Sequence, residues 1–445
     1  MPSSPDAPSG PGGVRILIIG SEVTQGFIFD TNTQFFCAEL FNIGVEVRQI
    51  LVIPDNKSAI LAAINEFLTT GDFILTTGGL GPTDDDLTVD VLCELFQTSA
   101  VFVKDCEKRV NVILRKMKNR ASEKISQARF EKRLHRQCRI PEIAEALPNN
   151  AGLAPGIYIQ KHRIISLPGF PLEIRDIWPG ALKKISENIK PAFLSKTFNI
   201  WGVMESILYE TLQSPENQQK EIVMGNHALP WGNQLFLRAP VENKTSFMKL
   251  AGLIETQFAA NILENPVQTW VDFLLANKVK FGTVESCTGG YAAKLITDIP
   301  GVSAVFPGSI VSYDNLIKTN LAGVSEKTLE SFGAVSRETA VEMAIGGSNS
   351  LGSDITISIT GIAGPGGGSR EKPVGTVFFG IYNRKENHIY SGQGYFPSGR
   401  ERFRNAAVYF IFLSLYQRYV YYRDEAAWLN SFSGKNFQKE SRNFP

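Results

Sequence analysis

The chain has 445 residues, 43% of them hydrophobic and 20% charged, with a net charge of +1. That length exceeds one ordinary core and implies two to four domains. The near-neutral charge argues against a general field for nucleic acid or membrane, and five scattered cysteines without a CxxC pair and four scattered histidines argue against a disulfide framework or a His-rich metal site.

Residues 1–13, MPSSPDAPSGPGG, read as a disordered leader, and the absence of a basic start argues against a signal peptide. Residues 14–20 (VRILIIG) predict a buried strand, 30–44 a helix, 45–53 a strand, 57–69 a helix, and 71–81 a strand running into a glycine loop. This alternation predicts a parallel α/β sheet, whose ligands bind at the carboxyl ends of the strands. The loop 77-TGGLGPTDDDLT-88 puts Asp84, Asp85 and Asp86 at such an end. These carboxylates suit a place where a divalent cation and phosphates meet, or simply an acidic helix start.

Residues 104–139 hold 13 Lys/Arg against 4 Asp/Glu and read as a solvated helical insertion. A nucleic-acid patch would want interleaved aromatics, and only Phe130 is there. The stretch 164-IISLPGFPLE-173 closes the first unit, taken as 14–181. Residues 182–265 predict a smaller α+β module: a strand near 197–203, a helix near 204–213, a polar stretch 214–221, a strand near 234–239 and a helix near 245–263. Glu264, Asn265 and Pro266 read as a linker, 266–425 as a third unit, and 426–445 as a loose tail. The longest strongly apolar run, 406–416, is short of the ~18 residues of a membrane span, so a cytoplasmic protein is expected.

The third unit carries the clearest chemistry. In 283-TVESCTGGYAAK-294 a strand runs through Ser286, Cys287, Thr288, Gly289 and Gly290 into a helix. Such a turn suits either a nucleophile beside an oxyanion hole or an ordinary helix cap. Downstream, Tyr313 and Lys318 lie five apart, and a buried lysine can act as a general base without any histidine. A glycine loop follows at Gly361, Ala363, Gly364 and 366–368, which can cradle a phosphate or ribose. Arg400 and Arg404 sit one helical turn apart, as an anion clamp would.

Taken jointly, ESCTGG, Gly308 with Tyr313 and Lys318 at five-residue spacings, GAVS at 333–336 and SITGIAGPGGG followed by KPVGTV resemble the C-terminal domain of the CinA family over about 268–423. The resemblance implies hydrolysis of the carboxamide of nicotinamide mononucleotide to the nicotinate nucleotide and ammonia, with no cofactor. It implies Ser286 as nucleophile, Lys318 and Tyr313 as proton-handling partners, and oxyanion contacts from Gly289–Gly290. Substrate contacts would come from Thr288, Gly289, Gly290, Gly361, Ala363, Gly364 and Arg400. Cys287 would be a small buried residue.

Residues 14–180 resemble the molybdopterin-binding-like domain that opens the same family. A three-layer α/β fold is implied there, with a KH-like α+β domain in the middle and an α/β deamidase domain at the end. An N-terminal nucleotide site of Glu22, Asp55, Gly78, Gly79, Asp85, Asp86 and Glu173 is implied. So is ADP-ribose pyrophosphatase activity with a divalent metal (Mg, Mn or Co) on Asp85 and Asp86, and a homodimer. The sequence departs from the family at Ser21, which stands for a carboxylate, at 30-DTN-32 and 136-RQC-138, and at Leu153, which stands for a hydroxyl residue. Those changes leave open a domain that only binds a nucleotide or serves dimerisation. A competence factor associated with nucleic acid is a third reading. It is weakened by the lack of a GxxG loop between 182 and 265.

Overall fold

The computed structural model of the chain describes residues 12–118, 127–212, 221–431 and 437–440, and in 115–118 and 127–129 the backbone alone. Most of the expected leader and of the polar stretch 214–221, and the chain beyond 440, lie outside the described residues. Two compact units are formed, one by Met1–Lys196 with Glu221–Val223 and Leu237–Phe247, the other by Thr197–Lys220, Met224–Phe236 and Met248–Pro445.

In the first unit the strands are β1 (Val14–Ile19), β2 (Val47–Ile53), β3 (Phe73–Thr77), β4 (Ala100–Phe102), β5 (Arg139–Pro141), β6 (Glu145–Leu147), β7 (Gly156–Ile159) and β8 (Ile164–Leu167). Six of them form a sheet in the order β2-β1-β3-β8-β7-β6. β1 runs parallel to β2 and β3, and β3 parallel to β8, while β7 is antiparallel to β6 and β8. Side chains alternate across the sheet. Ile16 and Ile18 join Phe36, Leu40, Ile174 and Trp178 of the helices Asn32–Asn42 and Pro171–Asn188. Leu17 and Ile19 join Ile60, Ile64, Phe67 and Leu92 of the helices Lys57–Leu68 and Thr88–Leu95. The expected three-layer α/β architecture is therefore present. β4 and β5 pair separately and close the base of the basic excursion, whose described helices are Glu107–Lys118 and Gln127–Gln137.

β9 (Phe193–Trp201), β10 (Val223–Leu229) and β11 (Gly232–Pro240) form a three-stranded sheet in the order β10-β11-β9. The division into two units passes through this sheet, so residues 182–265 do not separate as one body. Their first residues belong to the helix Pro171–Asn188. Pro179 and Gly180 mark a break by propensity, but burial of Trp178, Ala181 and Ile185 on one face carries the helix across.

The second unit holds β12 (Phe281–Glu285), β13 (Gly308–Val311), β14 (Ile355–Gly361), β15 (Thr376–Asn383), β16 (His388–Tyr395) and β17 (Phe437–Lys439), ordered β13-β12-β14-β15-β16-β17. β12 lies between two parallel neighbours, and the remaining pairs are antiparallel. The helices Pro266–Asn277 and Arg400–Tyr416 pack Trp270, Leu274, Ile411 and Phe412 against Phe281 and Ile357. The apolar run 406–416 is thus core helix, and no helix among the described residues is long and apolar enough to cross a membrane. The expected linker is instead a helix start: the Asn265 side chain accepts from the Val267 and Gln268 amides, with Pro266 at the first position.

The residues expected as a loose tail also behave differently. Helix Glu425–Ser431 buries Trp428, and β17 adds Phe437 to the same core at the sheet edge. Burial of two large aromatics on one core favours docking of the elements that carry them. Trp428→Ala should lower the unfolding free energy by ~3–5 kcal/mol. A denaturation midpoint equal to that of the parent would mean the segment is not part of the core.

Candidate functional site

Ser286 follows β12, at the carboxyl end of the parallel part of the sheet, and its amide donates to the Ile359 carbonyl at 2.9 Å. The chain turns back through Gly289 (φ 59°) and Gly290 (φ 91°), a left-handed region that favours glycine. The helix Tyr291–Thr297 begins there.

The Lys318 ammonium group lies 3.1 Å from Ser286 Oγ, 2.7 Å from the Ser312 carbonyl and 3.2 Å from the Tyr313 carbonyl. Lys318 is 1% exposed, on the short helix Asn315–Asn320 that the Asp314 side chain caps. Burial lowers its pKa, opposed by the Asp314 carboxylate. A neutral amine has two N–H donors and one lone pair. Lys318 Nζ donates to Ser286 Oγ and to the two carbonyls; in the neutral form the carbonyls would take both donors and the lone pair would face the Ser286 hydroxyl.

Tyr313 is placed differently from the sequence expectation. It reaches Lys318 through its backbone carbonyl, while its side chain is 59% exposed and its hydroxyl accepts from Arg400 Nη2 at 2.6 Å. Arg400 also donates to the Gly364 carbonyl at 3.0 Å, tying the glycine loop to the lysine segment. Arg404 donates Nε, at 2.9 Å, and Nη2 to the Thr288 carbonyl. The two arginines therefore do not pair on one anion, because each is already spent on a different loop. Gly361 ends β14 opposite Val377, and Ala363 packs into the hydrophobic core.

The expected oxyanion donors are displaced as well. The Gly289 amide donates to the Ser286 carbonyl at 3.1 Å, and the Gly290 amide to a Glu285 carboxylate oxygen at 3.0 Å. The Thr288 amide makes no hydrogen bond among the described residues, and the Cys287 amide lies against its own thiol. Thr288 is fully buried, and its hydroxyl likewise has no partner among them. Burial pushes the Cys287 thiol up to about 12, which removes it as a thiolate nucleophile.

Sequence reasoning passed over Glu285. It is fully buried and accepts from the amides of Gly290, Ala292 and Ala293 at 2.9–3.1 Å. A carboxylate at a helix N-terminus satisfies orphan amides and complements the helix dipole. Its position just ahead of Ser286, before the glycine pair, is the sequence signal that could have found it.

In the first unit Glu22, Asp55, Gly78, Gly79, Asp85, Asp86 and Glu173 all line one cleft of about 430 Å³. Gly78 has φ 102°, and a Cβ there would meet the Ile19 carbonyl oxygen at 2.0 Å, so only glycine fits that crossing. Ser21 and Asp55 exchange hydrogen bonds: the Ser21 amide donates to Asp55 Oδ2 at 2.7 Å, and the Asp55 amide to Ser21 Oγ at 3.1 Å. Glu173 accepts from Asn149 Nδ2 at 2.6 Å, and burial raises its pKa. Leu153 faces away from the cleft into a small apolar cluster with Cys106 and Cys138, so its replacement of a hydroxyl residue empties no contact there.

The carboxylate pair expected to hold a metal does not act as a pair. Asp86 spends both oxygens on its own loop, accepting from the Gly81 and Thr83 amides, each at 2.7 Å, and from the Thr83 hydroxyl at 2.5 Å. No group of three or more His, Cys, Asp or Glu suited to a metal occurs among the described residues. A divalent ion there would hold to one or two of these carboxylates and to substrate phosphates.

Two family models match the chain, one described as CinA C-terminal domain over residues 264–419 and one as Probable molybdopterin binding domain over residues 15–187. A CinA-like protein of Leptospira borgpetersenii serovar Hardjo-bovis (strain L550) is 34% identical over 423 residues, covering 91% of this chain and 98% of the relative. A putative competence-damage inducible protein of Clostridium tetani (strain Massachusetts / E88) is 35% identical over 408 residues, covering 88% of this chain and 96% of the relative. The solved structure of competence/damage inducible protein CihA from Agrobacterium tumefaciens is 35% identical, covers 34% of this chain and 95% of its own, and aligns with a TM-score of 0.33.

Brief alkylation with iodoacetamide near pH 8 should modify the half-buried Cys37 and Cys93 before Cys287. Peptide mass spectrometry reads the order. Faster labelling at Cys287 would restore it as a nucleophile.

Proposed function

The chain belongs to the CinA family, and on that premise we propose that its C-terminal unit is an amidohydrolase that converts nicotinamide mononucleotide to nicotinate mononucleotide and ammonia. The observation that supports this most is the buried Ser286–Lys318 contact at 3.1 Å, with two backbone carbonyls also on the lysine nitrogen.

In this reading Ser286 Oγ attacks the carboxamide carbon and passes its proton to Lys318. The tetrahedral oxyanion is met by the amides of Cys287 and Thr288 in the turn after Ser286. The lysinium returns the proton to the amide nitrogen and ammonia leaves, giving an ester on Ser286. Water then attacks the ester, Lys318 again accepts the proton, and Ser286 is released with the acid product. Every group in these steps belongs to the protein, the substrate or water. Arg404 acts as a positioning residue: its two bonds to the Thr288 carbonyl orient the peptide units that carry the oxyanion donors. Tyr313 and Arg400, joined at the edge of the site, offer an exposed ring and a cation to the pyridine nucleotide.

Ammonia release from nicotinamide mononucleotide tests the assignment. Ser286→Ala should lose activity by about a thousand-fold or more, and full activity would remove the nucleophile. Lys318→Arg should fall by ~10²–10⁴-fold, because a guanidinium keeps the charge but cannot accept the proton.

The pH profile follows from the same lysine. Burial lowers its pKa, so the neutral base forms at lower pH than on an ordinary lysine. kcat/KM should rise with pH on a limb whose midpoint lies below the ~10.4 of a free lysine. A flat profile in that range would show that Lys318 does not titrate in the rate-limiting step.

A second reading concerns the first unit, where the seven residues expected of a nucleotide site line one cleft. It takes ADP-ribose as substrate and releases AMP. The assay is run with and without Mg²⁺, Mn²⁺ or Co²⁺, on the parent and on Asp85→Asn. AMP release that is lost in the variant supports hydrolysis, and binding without turnover supports a nucleotide-binding domain.

A further inference from the structure

The basic excursion is not simply a solvated face. Lys132 and Arg133 of the helix Gln127–Gln137 line a cavity of about 790 Å³ together with Arg136 and Arg139. Two carboxylates face them, Asp84 and Asp90. Arg136 donates to Asp84 Oδ1 at 3.1 Å and to Asp90 Oδ2 at 3.2 Å, and Arg139 to Asp90 Oδ1 at 3.1 Å. Four cations against two carboxylates leave an excess of two positive charges in one cavity. Arg139 Nε is buried with no partner among the described residues, so a strong donor there lacks an acceptor. Phe102 and His135 line the same cavity, with ring centroids 5.0 Å apart and planes 39° apart.

We propose that this cavity binds a nucleoside diphosphate, its phosphates on Lys132, Arg133, Arg136 and Arg139 and its base on the Phe102–His135 pair. Its volume fits one small ligand, not a strand of nucleic acid. A diphosphate, with about two to three negative charges, suits the uncompensated positive charge, and arginine forks suit phosphate oxygens. The site is distinct from the cleft that holds Gly78, Asp85 and Glu173, although the loop carrying Pro82 borders both. Arg136 also donates to the Asp86 carbonyl at 3.1 Å, so phosphates that engage Arg136 compete with Asp84 for the arginine that steadies this acidic loop. The binding claim stands whether or not the cleft is catalytic.

Calorimetry of the full chain with ADP and, separately, with inorganic pyrophosphate tests this. Both should bind, and exchanging the exposed pair (Lys132→Gln with Arg133→Gln) should weaken both by about ten-fold. Asp84→Asn removes a competing carboxylate and should tighten both by about three-fold. Phe102→Ala should weaken ADP but not pyrophosphate. Unchanged affinity in the double variant overturns the proposal and assigns any ADP binding to the other cleft, and absence of binding by both probes also overturns it. Equal weakening of ADP and pyrophosphate by Phe102→Ala overturns the stacking of the base. Unfolding temperatures matched to the parent show that the variants are folded.

Discussion

A lysine amine sealed from water beside a serine hydroxyl is the constraint around which the second unit is arranged. A charged ammonium at 1% exposure is costly, and the neutral form is stable only if its remaining donors are satisfied. The carbonyls of Ser312 and Tyr313 satisfy them, and these residues directly follow β13, an edge strand held parallel to β12. The Ser312 amide in turn donates to the Glu285 carbonyl at 2.7 Å, one residue ahead of the nucleophile. Serine and base are thereby gauged to each other through backbone bonds between neighbouring strands. Such bonds hold position better than long side chains on loops would.

The turn after Ser286 is set by a second buried polar side chain. Glu285 collects three amides at the start of the next helix, and Arg404 holds the Thr288 carbonyl from the opposite side. Between these two holds the Thr288 amide makes no hydrogen bond among the described residues. A donor kept unpaired costs stability, and at a reaction centre it serves developing negative charge instead.

The first unit uses its carboxylates in another way. Asp86 is consumed in folding its own loop, and Asp55 holds the Ser21 amide with one carboxylate oxygen. The Ser21 hydroxyl occupies the position where the family resemblance expects a carboxylate, and it removes one negative charge beside Asp55. Arg136 then ties the acidic loop to the helical excursion, which brings two features that are far apart in the chain into one electrostatic system.

Much of this was legible in the chain itself. Alternating apolar strands and helices announced the three-layer first unit, because strand and helix periods are local properties of the residues. Ser286, Lys318 and the glycine loop could be singled out because nucleophile, base and glycine types are scarce and their spacing is specific. Tyr313, Arg400, Gly289 and Gly290 were also singled out, but with different contacts from those they make. Which atom of Tyr313 meets Lys318, and which amides of the turn remain free, depends on hydrogen bonds closed by Glu285, Arg400 and Arg404 across 5 to 116 positions of chain. The docking of Trp428 and Phe437 was hidden for the same reason, since a polar segment with two aromatics reads as loose until a core is there to receive them. The sequence by itself determined the layers and the family and brought Ser286 and Lys318 into view. Only the tertiary structure decided how deeply the lysine is buried, which amides of the turn are engaged and where the cationic side chains gather, because burial and partner choice are properties of neighbours in space.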